Sequence, residues 1–279
     1  MHIAIDCGRY EVKVIGANGY HDHFPSYIGE SRELKLVNVL RETDIILRTS
    51  EGSWFVGSLA KDESNGAGSM MTANKVHADT KLLILAAVAR ATKGGEKVIV
   101  TTGVPVRFHS AQTKQELNNL LVGKYSVSIN HIPKTFEITK VNIVVEGPSA
   151  YTTLCAAQLG IRRFVDIGSR TVNYGTVVNG RYNDRESDTL DYGYDTIDAD
   201  ARTISRRIAT DLSRVWMDLS ADTYVFGGGA ITSAHWLRDH FPRLITPENP
   251  QWVNVQAFYA IGEKANGAMV QQARILQSR

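Results

Sequence analysis

The stretch IAIDCGRYEVKVIGANG, residues 3–19, consists of an apolar run, an Asp-x-Gly turn, a second apolar run and an Asn-Gly turn. A second stretch, RFVDIGSRTVNYGTVVNG at residues 163–180, repeats this plan. Short apolar runs that are separated by turn residues predict β-hairpins. The sequence therefore predicts that one unit, a hairpin with an Asp-x-Gly turn at its tip, is present twice.

Composition narrows the class of protein. The chain has 279 residues, of which 43% are hydrophobic and 22% charged, and its net charge is +2. Such a chain can bury a large core, and it is not expected to bind DNA strongly by itself. Cys7 and Cys155 stand apart without metal-ligand spacing, which argues against zinc and disulfides and favours the reducing cytoplasm. The longest aliphatic run, residues 82–89, is too short to cross a membrane, which takes about 20 residues.

Hydrophobic periodicity predicts a mixture of strands and helices. The predicted strands are 2–6, 10–16, 54–57, 97–102, 125–130, 134–144, 162–166, 171–178 and 222–226. The predicted helices are 75–92, 110–122, 148–159, 198–218, 232–240 and 252–277. This pattern predicts an α/β fold of two related domains, whose hairpin tips meet at one ligand-binding cleft.

The two Asp-x-Gly turns are the first candidates for a binding site. Gly8 and Gly168 let backbone N–H groups approach an anion closely, because glycine carries no Cβ. Asp6 and Asp166 suit Mg²⁺, which is usually held by one or two carboxylates together with substrate phosphates. One such turn alone is more simply explained as a good hairpin turn. Its repetition, each time between two strands, favours a phosphate and magnesium site.

Three further features suit a nucleotide. Lys13 lies on the second strand of the first hairpin and could reach a phosphate, although an exposed strand lysine is the commoner case. Glu146 stands between a strand and a helix, where a carboxylate can orient a water at a terminal phosphate or simply complement the helix N-terminus. Gly227, Gly228 and Gly229 follow a buried strand and precede a helix, a layout that brings a backbone close to a nucleotide.

Taken in order, these motifs resemble those of the actin, Hsp70 and sugar-kinase superfamily. The resemblance rests on IDCGRYEVK, VVEGPSAYTTL, VDIGSRTVNYGTV and VFGGGA, which extend over almost the whole chain. Within the superfamily the chain is most similar to bacterial plasmid-segregation actins of the ParM type. The segments that carry this second likeness are FPSYIGE (24–30), WFVGSLA (54–60), TTGVPV (101–106) and EGPSAY (146–151).

The resemblance implies an actin-like (ribonuclease H-like) fold with duplicated α/β domains around a nucleotide cleft. It implies a first domain of residues 1–146 and 258–279, which includes a small subdomain IB near 25–75, and a second domain of residues 147–257. The insertion that forms subdomain IIB in ParM-type actins is missing, because LDYGYDTIDADARTISRRI runs directly into a predicted helix. In this respect the chain resembles the AlfA-type subgroup.

The resemblance also implies the roles of the site residues. Asp6 and Asp166 would hold Mg²⁺ through water, and Glu146 would position the water that attacks ATP or GTP. The residues expected to bind the phosphates are Gly8, Arg9, Lys13, Gly168, Ser169 and Arg170. Those expected to support the nucleoside are Gly227, Gly228 and Gly229. Arg9 and Arg170 replace small residues of the family, so that each either contacts phosphate or points outward into a neighbouring subunit.

The implied function is that of an NTPase which forms filaments of identical subunits. Such filaments segregate low-copy plasmid DNA through a DNA-binding adaptor protein on the plasmid centromere. Two alternatives stay open. The first is a small-molecule kinase of the same superfamily, similar to type III pantothenate kinases, which needs a carboxylate acting as base toward a substrate hydroxyl. The second is a nucleotide-gated binding module of the chaperone type, which needs an appended peptide-binding domain. The sequence offers no convincing candidate for either requirement.

Overall fold

The computed structural model describes residues 1–35, 39–69, 72–155 and 159–277. The strands are β1 His2–Cys7, β2 Glu11–Gly16, β3 His21–Pro25, β4 Ile28–Glu30, β5 Asp44–Thr49, β6 Gly52–Gly57, β7 Glu96–Val104, β8 Gly123–Ile129, β9 Ile132–Val145, β10 Ile161–Ile167, β11 Val172–Val178, β12 Arg181–Leu190, β13 Asp222–Phe226 and β14 Leu244–Ile245. The helices are α1 Ser58–Glu63, α2 Ala78–Ala91, α3 Ala111–Leu121, α4 Tyr151–Leu154, α5 Ala201–Ser213, α6 Ala230–Leu237 and α7 Val253–Gln277.

The chain divides into two compact units. The first consists of Met1–Thr102, Ala111–Ile143 and Phe258–Arg279, and the second of Gly103–Ser110 and Val144–Ala257. The larger sheet lies mainly in the first unit and has the strand order β3-β2-β1-β7-β9-β8-β5-β6-β4. The smaller sheet lies in the second unit and has the order β12-β11-β10-β13-β14.

The two sheets share one arrangement of four strands. In the first unit β1 is antiparallel to β2, β2 is antiparallel to β3, and β1 is parallel to β7. In the second unit β10, β11, β12 and β13 pair in the same way. The order β3-β2-β1-β7 therefore corresponds to β12-β11-β10-β13, which confirms the predicted duplication of an α/β unit.

The Asn-Gly turns that end both hairpin repeats adopt the same backbone geometry. Asn18 and Gly19 have φ angles of 59° and 75°, and Asn179 and Gly180 have φ angles of 51° and 79°. Two successive residues with positive φ form the turn whose twist matches that of the flanking strands, and asparagine and glycine tolerate this conformation best. The repeated Asn-Gly signal in the sequence thus has a direct structural cause.

Each unit has its own hydrophobic core. In the first unit β1 is buried along its whole length, and α2 is buried at every position from Leu82 to Ala89. In the second unit α5 is amphipathic, with Ile204, Ile208 and Leu212 buried against the sheet. The N-terminus of α5 is fixed by Asp200, whose Oδ1 accepts a hydrogen bond of 2.7 Å from the backbone N–H of Thr203. Such a cap typically stabilises a helix by about 1 kcal/mol.

Every predicted strand is present, whereas several helix predictions need correction. The prediction for 148–159 reduces to a 3-10 turn at Pro148–Ala150 followed by α4, and its residues 156–158 lie outside the described part of the chain. The prediction for 198–218 is too long at both ends, because α5 begins only after its cap and ends at Ser213. The sequence interpretation missed β3, β4, β5, β12, β14 and α1.

The connection between β12 and α5 is short. Residues 191–200 alone join the two elements, so that no inserted subdomain occurs at the position where the resemblance places subdomain IIB. Of the helices that the structure describes, none is both long and apolar enough to cross a membrane.

Candidate functional site

In the first unit, the predicted Asp6 and Lys13 stand opposite each other on paired strands. The antiparallel register of β1 and β2 aligns Asp6 with Lys13. Both side chains are buried, although a strand lysine is more often exposed. The ammonium group of Lys13 lies 3.2 Å from Oε2 of Glu11. A buried lysine beside the hairpin tip is suitable for binding an anion.

The first turn is tight because of Gly8. A Cβ at this position would lie only 2.6 Å from the carbonyl oxygen of Glu11, which is closer than non-bonded atoms can approach. The hydroxyl of Ser26 donates a hydrogen bond of 2.6 Å to the carbonyl oxygen of Gly8. The close approach of Gly8 to Glu11 and the hydrogen bond from Ser26 together hold the turn in one conformation.

Arg9 turns inward rather than outward. Its side chain is buried, and Nη2 donates a hydrogen bond of 3.1 Å to the carbonyl oxygen of Asn74. The guanidinium group of Arg9 thus lies within the first unit, against the segment that contains Asn74. The next residue after Asn74, Lys75, is also buried, and its Nζ lies 3.7 Å from Oδ1 of Asp6. Sequence reasoning missed Lys75.

In the second unit, Asp166 pairs with Asn173 in the register of β10 and β11. Asn173 follows Asp166 by seven residues, just as Lys13 follows Asp6. The structural counterpart of Lys13 is therefore an amide rather than an ammonium group. The repeated spacing was the signal that could have identified Asn173 as a site residue.

Asn173 joins two carboxylates of the second unit, both of which were predicted to be site residues. Its Nδ2 lies 3.1 Å from Oε2 of Glu146 and 3.3 Å from Oδ2 of Asp166. An ionised carboxylate can only accept hydrogen bonds, so that the NH₂ group of the amide must face both acids. All three side chains are buried, and that of Asn173 is only 1% exposed.

Further hydrogen bonds fix this cluster in place. Nδ2 of Asn254 donates a hydrogen bond of 2.9 Å to Oδ2 of Asp166, and Oδ1 of Asn254 accepts one of 3.1 Å from the backbone N–H of Gly147. On the far side of Asn173, Oδ1 accepts a hydrogen bond of 2.8 Å from the hydroxyl of Thr189. A buried network of hydrogen bonds of this kind holds its members in one geometry.

The second Asp-x-Gly turn is closed by a backbone hydrogen bond. The backbone N–H of Gly168 donates a hydrogen bond of 2.9 Å to the carbonyl oxygen of Thr171. The segment at Gly193 packs directly on the turn, since a Cβ on Gly193 would lie 2.5 Å from the carbonyl oxygen of Gly168. The hydroxyl of Ser169 donates to Oδ2 of Asp195 at 2.6 Å. Arg170 is half-exposed at the end of the turn.

The three consecutive glycines differ in their surroundings. Gly227 has a φ of +88°, and a Cβ there would lie 2.5 Å from the carbonyl oxygen of Ile167 and 2.6 Å from Oδ1 of Asp166. A Cβ on Gly229 would lie 2.5 Å from the side chain of Ile167. Gly228 is exposed and faces open space. Gly227 and Gly229 thus let the loop pack on the end of β10, and Gly228 presents a bare backbone to solvent.

This difference predicts a contrast between two alanine variants. Gly227→Ala is expected to lower the free energy of unfolding by roughly 2–3 kcal/mol, because it adds positive-φ strain and a steric overlap. Gly228→Ala is the matched control, and it is expected to change the free energy of unfolding by less than about 1 kcal/mol. Urea denaturation of both variants measures these values. Equal losses would contradict the difference in packing.

Each Asp-x-Gly turn offers one carboxylate, which is a donor type that suits magnesium. Within the described residues, no group of three or more His, Cys, Asp or Glu side chains is arranged to hold a metal ion. Mg²⁺ does not need such a cage, because one or two carboxylates and substrate phosphates suffice. Asp6 and Asp166 each place one carboxylate beside a glycine turn, and each belongs to its own unit.

Comparison with protein families identifies a matching family. The family model described as actin like proteins N terminal domain matches residues 4–148, which are 145 of the 279 residues. The matched region contains the first Asp-x-Gly turn and ends just after Glu146. Among curated protein sequences none matches the chain significantly.

Solved structures with the same fold cover nearly the whole chain. The crystal structure of apo psk41 ParM matches with a TM-score of 0.76 and 19% identity, over 96% of this chain and 98% of that chain. An AlfA filament bound to AMPPNP matches with a TM-score of 0.76 and 16% identity, over 96% and 98%. An archaeal actin homolog matches with a TM-score of 0.79 and 17% identity, over 95% and 99%. At these identities the likeness establishes a shared fold.

Proposed function

Because this chain belongs to the family of actin-like proteins, we propose that it binds and hydrolyses ATP or GTP and assembles into filaments of identical subunits. The predicted family and the predicted actin-like α/β fold are both confirmed. One observation carries the proposal of hydrolysis. It is the buried cluster in which Asn173 donates hydrogen bonds to both Glu146 and Asp166.

Glu146 is the proposed catalytic residue. Its carboxylate orients the attacking water at the terminal phosphate and accepts a proton from it, as a general base does. Nδ2 of Asn173 donates a hydrogen bond of 3.1 Å to Oε2 of Glu146. This contact fixes the rotamer of Glu146, so that the carboxylate has one direction in which to hold a water. Asn173 is therefore a positioning residue.

The phosphates are assigned to the two turns. Gly8, Arg9 and Lys13 from the first unit, and Gly168, Ser169 and Arg170 from the second, supply backbone N–H groups, positive charge and a hydroxyl. When bound, Mg²⁺ supplies charge neutralisation at the phosphates, with Asp6 and Asp166 as its carboxylate partners through water. Gly228, with its exposed backbone, is the central residue of the proposed nucleoside support.

The biological role that we propose is segregation of plasmid DNA through a separate DNA-binding adaptor. Two of the structural relatives are a ParM protein and an AlfA filament, and the proposal transfers their class of function to this chain. The net charge of +2 agrees with an adaptor, because direct DNA binding relies on many phosphate contacts from Lys and Arg.

The first test is assembly. Mixing the protein with Mg-ATP or Mg-GTP is expected to produce polymers, because the proposed subunit is nucleotide-dependent. Light scattering and negative-stain electron microscopy detect these polymers, and a non-hydrolysable analogue tests whether binding alone is sufficient. EDTA in place of Mg²⁺ is the control.

The outcome also separates the alternatives. Phosphate release together with filaments supports the proposal. Phosphorylation of a metabolite without any polymer, over a wide range of protein concentration, would instead identify a small-molecule kinase. Nucleotide-dependent capture of peptides without polymer would identify a binding module of the chaperone type.

A further inference from the structure

Lys75 places a buried positive charge beside the first Asp-x-Gly turn. The residue is 4% exposed and Asp6 is 8% exposed. Their charged atoms, Nζ and Oδ1, lie 3.7 Å apart. A buried lysine is costly unless an opposite charge compensates it, and here the compensating carboxylate is the one assigned to magnesium.

The segment that carries Lys75 is held in position by several hydrogen bonds. The carbonyl oxygen of Asn74 accepts one from Nη2 of Arg9, at 3.1 Å, and another from the hydroxyl of Thr72, at 3.2 Å. The side chain of Asn74 accepts a third, of 2.9 Å, from the backbone N–H of Val76. These hydrogen bonds hold the backbone segment that precedes α2, and with it Lys75, in a fixed position beside Asp6. One of them comes from Arg9, which belongs to the first Asp-x-Gly turn.

The other charges of the turn have different partners. Lys13 pairs with Glu11 at 3.2 Å, and Arg9 donates to a carbonyl group. The separation of 3.7 Å between Lys75 and Asp6 is longer than a hydrogen bond. The pair therefore neutralises charge without a strong directional contact that would have to be broken when another cation approaches Asp6.

We propose that Lys75 is a resident counter-cation of Asp6, which neutralises this carboxylate whenever magnesium is absent. The inference rests on the proposed nucleotide function. Without a cation at Asp6, its negative charge repels the phosphates of an incoming nucleotide at short range. With Lys75 in place, the turn accepts a nucleotide even without metal. Lys75 thereby sets how strongly nucleotide binding depends on magnesium.

The test compares nucleotide affinity with and without magnesium. The dissociation constant of a fluorescent ATPγS derivative is measured in excess Mg²⁺ and in EDTA for the parent protein and for Lys75→Met. We expect the ratio of the EDTA value to the Mg²⁺ value to rise at least about tenfold in Lys75→Met, chiefly through weaker binding in EDTA. Lys81→Met is the matched control, because Lys81 pairs with Glu51 away from the turn, and its ratio should stay within about twofold of the parent's.

A second pair of variants isolates the role of Asp6. If Lys75 acts by neutralising Asp6, the loss of affinity in EDTA on Lys75→Met should disappear in an Asp6→Asn background. The double variant lacks the charges of both Lys75 and Asp6, so that it also leaves no buried carboxylate without its counter-charge. Persistence of the full effect in that background would overturn the proposal, since Lys75 would then act directly on phosphate.

Failure of this inference and failure of the proposed function are distinguishable. A parent protein that binds no nucleotide in Mg²⁺ would contradict the proposed function. A parent protein that binds nucleotide, together with an unchanged ratio in folded Lys75→Met, would contradict only the inference. Thermal melting of each variant confirms that folded protein is being compared.

Discussion

Glu146→Gln is expected to lower the rate of nucleotide hydrolysis at least about 100-fold while nucleotide affinity changes by less than about threefold. A general base in this position contributes roughly 10²–10⁴ to the rate. A glutamine side chain has the same shape and stays hydrogen-bonded to Asn173 through its carbonyl oxygen, but it cannot accept a proton from water. The fold is retained, because the variant keeps an acceptor opposite Nδ2 of Asn173.

Phosphate release after rapid mixing measures the rate, and fluorescent nucleotide titration measures the affinity. Glu248→Gln is the control, since Glu248 is exposed in the same unit and its loss should leave both quantities unchanged. Polymers of Glu146→Gln are expected to persist longer than those of the parent, because the nucleotide in them is not consumed. Unchanged turnover would remove Glu146 from the catalytic role.

The duplication could be predicted because each copy carries the same short motifs, Asp-x-Gly and Asn-Gly, in the sequence. The Asn-Gly turn depends on a positive-φ backbone conformation that few residue types adopt, and the Asp-x-Gly tip depends on a close backbone approach that a Cβ would hinder, so that the same residues recur wherever the same turn recurs. For this reason the pairs Asp6–Gly8 and Asp166–Gly168 predicted not only two hairpins but also two corresponding sheets. The tertiary pairing of β1 with β7 and of β10 with β13 then follows the usual parallel connection through helices.

The missed strands and site residues have a different cause. The strands β3 and β12 alternate polar and apolar side chains only weakly, because they carry residues such as Asp22 and Asp188 that find partners elsewhere in the fold. Asp22, for example, receives two hydrogen bonds from Arg90 at 2.6 and 2.7 Å. A pattern based on hydrophobicity cannot register such long-range ion pairs.

Lys75 illustrates the same limit for the site. It lies 69 positions after Asp6 in the sequence, in a segment without regular structure, and nothing local marks it as a partner. Only the packing of that segment on the first turn brings the two charges together. Asn173 was closer to being predictable, because its distance of seven residues from Asp166 repeats that of Lys13 from Asp6.

Asn173→Leu is expected to destabilise the second unit strongly, although it leaves the predicted catalytic Glu146 and the predicted metal-binding Asp166 in place. Leucine fills a similar volume but removes every hydrogen bond of the amide. Glu146 and Asp166 lose a shared donor, and Thr189 loses its acceptor. Each buried polar group that is left unsatisfied costs about 1–3 kcal/mol, so that the free energy of unfolding should fall by roughly 3–5 kcal/mol.

The same variant should reduce hydrolysis in the folded protein by roughly 10- to 100-fold, in line with the loss of a residue that orients a catalytic group. Thr189→Val is a milder variant, because it leaves both acids bonded to the amide of Asn173. It removes the hydrogen bond that the Thr189 hydroxyl donates to Oδ1 of Asn173 and the one of 3.2 Å that this hydroxyl accepts from the backbone N–H of Arg107. It should cost about 2 kcal/mol and affect the rate less than about threefold. A structural role alone would lower stability in both variants without lowering the rate per folded molecule. Asn173 contacts Glu146 directly, whereas Thr189 contacts the amide of Asn173 on the side away from Glu146. A rate that falls only in Asn173→Leu therefore ties catalysis to the orientation of Glu146.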